Sequence, residues 1–208
     1  MDTVETPAGP ARVHLAVAAT PVATLVLGHG AGGGIEAPDL AVLAKLLPAR
    51  GITVVRVEQP WRVAGRKVAT APSTLDRAWV AVLAALDLRG PVVTGGRSAG
   101  ARVACRTALQ VGATGVVALA FPLHPPGRPE RSRLSELEEC GVPALVVQGE
   151  RDPFGGAEAF PRKRRSPYVV HPVPGADHSF RVTGGHDRGG TLAALTVAVG
   201  DWVLGLPG

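Results

Sequence analysis

Ser98 has a sequence context that suits a nucleophile. Residues 96–100 read Gly-Arg-Ser-Ala-Gly, and the glycines on both sides of the serine permit a sharp, strained turn. Residues 91–94 before the motif favour a strand, and residues 101–109 behind it favour a helix. The N-terminus of that helix would direct free amides and a positive dipole end at the serine, where negative charge develops. The pattern therefore predicts nucleophilic catalysis by Ser98.

A serine hydroxyl needs a base within hydrogen-bond reach, and the base needs a carboxylate to hold its tautomer and stabilise its cation. Asp152 and His178 follow Ser98 in the chain order that is typical of such turns in α/β sheets. Asp152 comes just after an apolar run at 144–148, and His178 comes just after a second run at 168–173. We therefore predict that Asp152 and His178 complete a catalytic triad with Ser98.

Other side chains compete for the roles of carboxylate and base. Glu150 lies two residues before the predicted aspartate, but it is closer to the strand. Asp177 is the sequence neighbour of His178, which makes it a poor steric partner. His171 falls inside a predicted strand, whereas His186 lies in a glycine-rich loop and is the main alternative base.

An oxyanion formed at the serine needs two backbone amides that point to one place. The amide of Ala99, directly after the nucleophile, is the first candidate. The second should come from the glycine-rich loop after the apolar run at 23–27, which resembles the His-Gly-Gly-Gly loops of this kind. In that loop we predict the amide of Ala31 as the donor, with Gly30 as the next candidate.

The same loop also fits a different class of protein. From Gly28 to Gly33 it reads as a Gly-x-Gly-x-x-Gly, and Glu58 follows the next strand at about the place where a ribose-binding acid belongs. This alternative predicts a dinucleotide-binding protein. Gly34, Ile35 and Pro38 count against it because they delay the start of the helix that should hold the third glycine, and it leaves the predicted triad unexplained.

Strand and helix patterns alternate along the chain. The first strand pattern alternates polar and apolar residues, which predicts a half-exposed strand at the sheet edge, whereas most later runs are continuously apolar and suit strands covered on both faces. Strands are predicted at 12–17, 23–27, 52–57, 91–94, 115–120, 144–148 and 168–173, and helices at 37–49, 75–88, 101–109, 134–139 and 191–204.

This alternation predicts an α/β fold, with a mostly parallel sheet of roughly five or six strands, an antiparallel edge and helices on both faces. Ligands of such sheets bind at the carboxyl ends of the strands, and the candidate residues all follow strand ends. Residues 1–208 are expected to form a single domain.

Three connecting segments carry further expectations. Residues 58–66 are predicted to be a polar loop. Ser73 or Thr74 is expected to cap the helix that follows. Residues 121–133 hold five prolines or glycines, which excludes a regular element and makes this segment the plausible cover of the site.

Composition limits the classes of partner. Hydrophobic residues make up 46% of the 208 residues, which is enough for one core. The formal net charge of +5 comes mainly from arginines that are spread along the chain, and they fit an Ala-, Arg-, Gly- and Pro-rich bacterial composition better than a nucleic-acid partner. The basic cluster at 162–165 is predicted to be a solvated loop.

Cys105 and Cys140 lack the spacing of metal ligands or of a redox pair and are expected to be free thiols. The first residues are acidic where a signal peptide would be basic, and no run of 18 apolar residues occurs. We therefore expect a cytoplasmic protein with no membrane partner.

Taken in order, these motifs resemble the α/β-hydrolase superfamily across nearly the whole chain. Within it, residues 95–98 (Gly-Gly-Arg-Ser), 59–62 (Gln-Pro-Trp-Arg) and 121–127 (Phe-Pro-Leu-His-Pro-Pro-Gly) resemble the small bacterial hydrolases grouped with testis-expressed protein 30 and NSL-complex subunit 3. That group is similar to dienelactone hydrolases in its compact form without a large cap. The resemblance implies a serine-hydrolase fold with Ser98 as nucleophile, but it does not imply a substrate, and some relatives are parts of chromatin complexes.

The sequence therefore predicts an esterase for small acyl esters that uses Ser98, His178 and Asp152, with a small-molecule substrate and neither a metal nor an organic cofactor. We expect a monomer or homodimer that does not bind nucleic acid. A catalytically silent interaction module on the same fold is the alternative, and the dinucleotide-binding protein is the further alternative.

Overall fold

The computed structural model of the chain describes residues 2–161, 166–183 and 187–207. In this part the strands are β1 Asp2–Thr6, β2 Gly9–Ala16, β3 Ala23–Gly28, β4 Ile52–Glu58, β5 Val92–Arg97, β6 Gly115–Leu119, β7 Ala144–Gly149 and β8 Tyr168–Val173. The helices are α1 Pro38–Leu46, α2 Pro60–Val63, α3 Pro72–Ala85, α4 Ala99–Thr107, α5 Leu134–Glu138 and α6 Arg188–Leu204.

All of these strands belong to one eight-stranded sheet in the order β1-β2-β4-β3-β5-β6-β7-β8. The last six strands of that order, β4-β3-β5-β6-β7-β8, run parallel to one another. β2 pairs antiparallel with both β1 and β4. The predicted α/β class and its mostly parallel sheet are confirmed. The loops after β3, β5, β7 and β8, which carry the candidate residues, consequently share one edge of the sheet.

Apolar side chains cover the sheet on both faces, because successive residues of a strand point to opposite sides. In β3, Leu25 and Leu27 pack into the cluster that contains Val199 of α6, whereas Val26 packs into the cluster that contains Trp79 of α3. Helices α1 and α6 therefore lie on one face and α3 and α4 on the other. This double cover explains why β3, β6 and β7 are buried along their whole length.

The N-terminal strand pair departs from the prediction of a single edge strand. β1 lies outside β2 and pairs with it from Asp2 opposite Val13 to Thr6 opposite Gly9, so β1 and not β2 is the edge strand. Residues of β1 are mostly exposed. A solvent-exposed strand such as β1 needs neither an apolar run nor a regular alternation of polar and apolar residues, and these were the two signals used to predict strands.

The predicted polar loop at 58–66 is wrong in part, since it contains α2, whose Pro60 and Trp61 are buried. The predicted caps of α3 are also wrong, because the helix begins at Pro72 after Ala71, which has no side-chain capping bond. Proline is favoured in the first turn because it has no amide to leave unpaired there. Ser73 and Thr74 lie inside that first turn.

The helix predicted at 37–49 is split by Pro48. It is α-helical only from Pro38 to Leu46 and continues as a short 3-10 helix over Leu47–Arg50. Proline has no amide hydrogen and therefore cannot donate the hydrogen bond that would extend the α-helix. Gly51 then ends the segment with a φ of 80°, which a glycine adopts without strain.

Residues 121–133 contain no helix or strand, as predicted. Cys105 and Cys140 are both buried and free, which confirms that they are free thiols. Within the described ranges, every helix is too short or too polar to span a lipid bilayer.

Candidate active site

Ser98 occupies the turn between β5 and α4, and its backbone is strained, with a φ of 54° and a ψ of −109°. Its amide donates to the carbonyl oxygen of Leu119 at 2.9 Å, which ties the turn to the neighbouring strand. A Cβ at Gly96 or at Gly100 would overlap the carbonyl oxygen of Gly28 in β3. The two glycines of the motif are therefore required by the close approach of β3, β5 and α4.

The three predicted catalytic side chains are brought together. The distance between His178 Nε2 and Ser98 Oγ is 3.1 Å, and the distance between His178 Nδ1 and Asp152 Oδ2 is 2.7 Å. With Nδ1 donating to the carboxylate, Nε2 is left as the acceptor for the serine proton. These residues are far apart in the chain and come from the loops after β5, β7 and β8.

The carboxylate of Asp152 is fully buried, and donors surround it. Oδ1 accepts from the amide of Phe154 at 2.8 Å, and Oδ2 accepts from Gln148 Nε2 at 2.9 Å. The same nitrogen also lies 2.6 Å from the carbonyl oxygen of Gly155 and 3.2 Å from that of Phe121, so its two hydrogens are shared among three acceptors. Gln148 is fully buried and holds the aspartate loop in place, a role that its position in an apolar strand did not reveal.

His178 also has partners beyond the aspartate. The ring of Phe154 packs on the imidazole with centroids 4.3 Å apart. The guanidinium of Arg97 donates from Nη2 to the carbonyl oxygen of His178 at 2.6 Å and to Ser179 Oγ at 3.2 Å. Arg97, which lies between Gly96 and Ser98 in the motif, thus contacts the loop that carries the base.

The glycine-rich loop passes close to the serine. A Cβ on Gly30 would lie 3.4 Å from Cβ of Ser98, so the backbone of this loop runs within van der Waals reach of the serine. Ala31 and Ala99 line the same small cavity, of about 10 Å³, beside the turn between β5 and α4 that carries Ser98, which we call the elbow. The two backbones that were predicted to supply oxyanion donors are therefore neighbours across the same space.

His29 holds the glycine-rich loop in shape. Its Nδ1 lies 2.9 Å from the carbonyl oxygen of Gly30, and its Nε2 accepts from the amide of Gln59 at 3.0 Å. Its ring also packs on Trp61, with centroids 5.4 Å apart. Burial lowers the pKa of His29, which favours the neutral ring that this pair of bonds requires. The histidine at the start of the loop is thus a structural clamp.

The competing carboxylates have other partners. Glu150 accepts from the amide of Gly175 at 2.9 Å and is exposed. Asp177 accepts from the amides of Ser179 and Arg181, which closes the turn around the predicted base. In the structure His178 pairs with the predicted aspartate and not with either of these groups.

The remaining candidates lie elsewhere. His171 is in β8 and lines a cavity of about 330 Å³ with Asp187 and Leu195, away from the serine. His186, the alternative base, lies outside the described residues, and so does the basic cluster at 162–165.

The glycine-rich loop does not suit the dinucleotide hypothesis. Gly33 lies outside α1, which begins only at Pro38, and a Cβ at Gly33 would meet no atom within 4 Å. The third glycine of a dinucleotide fingerprint is needed for close packing of helix and strand, which does not occur at this position. Glu58, the candidate ribose-binding acid, instead forms an ion pair with Arg12 at 3.6 Å.

A family model described as an alpha/beta hydrolase domain matches residues 21–202. Among solved structures, dienelactone hydrolase from Anabaena variabilis is 18% identical, with a TM-score of 0.75, over 99% of this chain and 96% of that chain. A serine hydrolase without a lid from Xanthomonas campestris is 21% identical, with a TM-score of 0.70, over 99% and 95%.

A third structure, Est1E from Butyrivibrio proteoclasticus with bound ferulic acid, is 16% identical, with a TM-score of 0.74, over 98% of each chain. At such low identity the solved structures establish a common fold. Together with the match to the family model, they confirm the predicted resemblance at the level of the superfamily.

Proposed function

The chain belongs to the α/β-hydrolase domain family, and from this premise we propose that it is a serine hydrolase, specifically an esterase for small acyl esters. The observation that carries the proposal is the continuous path from the buried Asp152 carboxylate through His178 to Ser98 Oγ, with steps of 2.7 and 3.1 Å. A strained serine at the end of that path fits an activated nucleophile better than a structural residue.

In the proposed acylation step, Ser98 Oγ attacks the ester carbonyl carbon while His178 Nε2 removes the hydroxyl proton. The carbonyl π pair moves to oxygen, and the amides of Ala31 and Ala99, with Gly30 as the alternative donor, stabilise the oxyanion. Collapse of the tetrahedral intermediate breaks the bond to the alcohol, which takes the proton from His178. Asp152 stabilises the imidazolium throughout.

In the proposed deacylation step, a water molecule gives a proton to His178 Nε2 and attacks the acyl-serine carbonyl carbon. The second tetrahedral intermediate expels Ser98 Oγ, which recovers the proton from the imidazolium, and the carboxylic acid leaves. Every proton in this cycle is carried by this chain's own side chains, so the proposed reaction uses neither a metal nor an organic cofactor.

The surroundings of the serine support a small acyl group. The cavity beside Ala31 and Ala99 has a volume of only about 10 Å³ and is bordered by Trp61 and Val103. A drug-sized ligand needs a pocket of about 300–1,000 Å³. Because this cavity holds no more than about one water molecule, it is no channel for a long acyl chain, and we therefore propose small esters as substrates.

A fluorophosphonate probe tests the proposal directly, since it reacts with activated serines. We expect labelling of the wild type and loss of labelling in Ser98→Ala. Ser73→Ala is the control and should keep the label, because Ser73 is an exposed residue of α3 and is not part of the motif. A folded wild type that is not labelled would favour the catalytically silent interaction module.

The choice of base is tested with an activated ester such as p-nitrophenyl acetate. We expect His178→Ala to lose turnover and His186→Ala to keep it. The reverse result would assign the base to His186. Cofactor titration covers the remaining alternative, because a dinucleotide-binding protein would bind a nicotinamide dinucleotide in both wild type and Ser98→Ala.

Two further parts of the proposal concern the whole chain. Because all described strands share one sheet, we propose that residues 1–208 form a single domain. The finer resemblance to the group of testis-expressed protein 30 and NSL-complex subunit 3 stays a prediction.

A further inference from the structure

Arg97 links the nucleophile and the base through the backbone. It is the residue directly before Ser98, and its side chain is only 13% exposed. Its Nη2 donates to the backbone carbonyl of His178 at 2.6 Å and to Ser179 Oγ at 3.2 Å. One side chain therefore joins the main chain next to the serine with the main chain of the histidine.

The buried carboxylate of Asp39 faces the guanidinium at Nε, at ion-pair distance and without a hydrogen bond. The Asp39 side chain is 2% exposed, lies in the first turn of α1 and has its Oδ2 3.5 Å from Arg97 Nε. Burial raises the pKa of Asp39, and the positive charge of Arg97 acts against that rise. Arg97 therefore lies where three segments meet. These are the elbow, helix α1 after the glycine-rich loop, and the turn at 177–181 that carries His178 (the histidine turn).

The histidine turn has internal supports of its own. Asp177 accepts from the amides of Ser179 and Arg181, and the buried Phe180 anchors the turn in the core. These contacts fix the shape of the turn. In the described ranges, its hydrogen bonds to the elbow come from Arg97 and from the hydroxyl of Ser98 itself.

We propose that Arg97 is a positioning residue that sets the distance between the base and the nucleophile, an inference that rests on the proposed serine-hydrolase function. The backbone of His178 is fixed relative to Ser98 by a bond from the adjacent residue, so the imidazole approaches the hydroxyl at a set distance. The negative charge of Asp39 attracts the guanidinium from the side of Nε and favours its place between α1 and the histidine. Arg97 thus acts on the reaction through the position of His178 and not through contact with the substrate.

The test compares Arg97→Met with Arg106→Met. Arg106 is also a half-buried arginine with carboxylate partners, Asp76 and Glu136, but it lies on α4 in contact with α3 and α5. A misplacement of about 1 Å lowers the rate of an enzymatic step by about 100-fold. With p-nitrophenyl acetate we expect Arg97→Met to lower kcat by about that factor with little change in KM, and Arg106→Met to keep the wild-type kcat.

Arg97→Lys and Asp39→Asn complete the test. The lysine keeps one donor for the His178 carbonyl, so we expect kcat to recover partly, whereas Asp39→Asn removes the negative charge that faces the guanidinium and should lower kcat at unchanged KM. If Arg97→Met fails to fold, Asp39→Asn decides the question by the same criterion. Wild-type kcat in the deciding variant, or an effect on KM alone, would overturn the inference.

The proposed function is judged separately, by fluorophosphonate labelling of the wild type and its loss in Ser98→Ala. A labelled wild type together with an unaffected Arg97→Met overturns the positioning role and leaves the hydrolase proposal intact. A folded wild type that takes no label overturns the hydrolase proposal itself.

Discussion

At the scale of single residues, the Asp152 carboxylate lies among the loops of the site with no exposure to solvent. A buried charge is tolerated only when it is paired and hydrogen-bonded, because its desolvation is unfavourable. Here the amide of Phe154, the side chain of Gln148 and the ring of His178 all reach it. The same contacts fix the orientation of the imidazole, so burial and function depend on one set of bonds.

We predict that Asp152→Asn lowers kcat for an activated ester by about 10⁴-fold, because the amide favours the wrong imidazole tautomer and cannot stabilise the cation. Glu150→Gln is the matched control, since Glu150 lies two residues away and bonds only to a backbone amide in the described part of the chain. Steady-state kinetics check both variants. Loss of turnover in Glu150→Gln, with activity kept in Asp152→Asn, would reverse the assignment of the carboxylate.

Gln148 gives a second residue-scale prediction. Replacing it with leucine takes one bond from Asp152 and leaves the carbonyl oxygen of Gly155 without its side-chain donor, whereas the carbonyl oxygen of Phe121 keeps the amide of Leu123 as a donor. Each buried acceptor left unpaired costs about 1–3 kcal/mol, so we expect Gln148→Leu to lower the free energy of unfolding by at least one such step. Urea unfolding measures it, and the exposed Gln110→Leu should change it little. Equal losses in both variants would show that Gln148 has no special structural role.

At the scale of elements, the elbow requires β3, β5 and α4 to approach more closely than side chains usually allow. Gly28, Gly96 and Gly100 meet at this crossing, and a Cβ at Gly96 or Gly100 would overlap the carbonyl oxygen of Gly28, which is backbone and has no flexible end to move. Strain at Ser98 persists because the surrounding strands and helix hold the turn on both sides. The glycines therefore set the backbone on which the nucleophile is presented.

Gly100→Ala tests this crossing. Alanine favours a helix by about 1 kcal/mol over glycine, but a Cβ would overlap the backbone of Gly28, and overpacking costs about 1–3 kcal/mol or more. We expect the clash to dominate, so the variant should have a lower Tm. Gly33→Ala, where a Cβ meets nothing within 4 Å, should keep the wild-type Tm. A stabilised Gly100→Ala would contradict the packing argument.

The clamp formed by His29 leads to a pH-dependent prediction. Burial lowers the pKa of His29 below its ordinary value of 6.5, so the unfolded state binds more protons than the folded state as pH falls. The stability contributed by the clamp is present above pH 6.5 and is lost as pH falls toward the folded-state pKa. We expect His29→Gln to be less stable than wild type at pH 7.5, with a difference that shrinks toward pH 5.

Urea unfolding of both proteins across this pH range measures that difference. Burial also lowers the pKa of His14, but His14 is present in both proteins, so its effect cancels in the comparison. A difference that stays constant or grows at lower pH would show that His29 is not held neutral in the folded state.

At the scale of the whole molecule, one sheet carries every loop of the site. Helices α1 and α6 cover one face and α3 and α4 the other, and the loops after four parallel strands share one edge. The distances within the site therefore depend on the integrity of the entire sheet.

We predict that the chain unfolds in one cooperative transition, because no described strand lies outside the common sheet. Trp79 of α3 and Trp202 of α6 report on opposite faces of that sheet. Tryptophan fluorescence and far-UV circular dichroism should therefore give the same midpoint in urea. Two separate midpoints would contradict the proposal of a single domain.

Much of this arrangement follows from patterns that are local in the sequence. Continuous apolar runs predicted the parallel strands, because a strand covered on both faces has no polar side. The placement of Ser98, Asp152 and His178 after strand ends predicted that their side chains would meet, because the carboxyl ends of parallel strands share one edge. The solvent-facing β1 and the short buried α2 lacked such patterns and were missed.

The contacts made by Arg97, Gln148 and His29 were decided only by the tertiary structure. Each of these side chains binds a backbone carbonyl, and every residue has one, so residue types and spacing do not identify the partner. The partner depends on which loops meet at the sheet edge, which is a property of packing. Sequence alone thus determined which side chains carry the proposed chemistry, and the fold decided which others hold them in place.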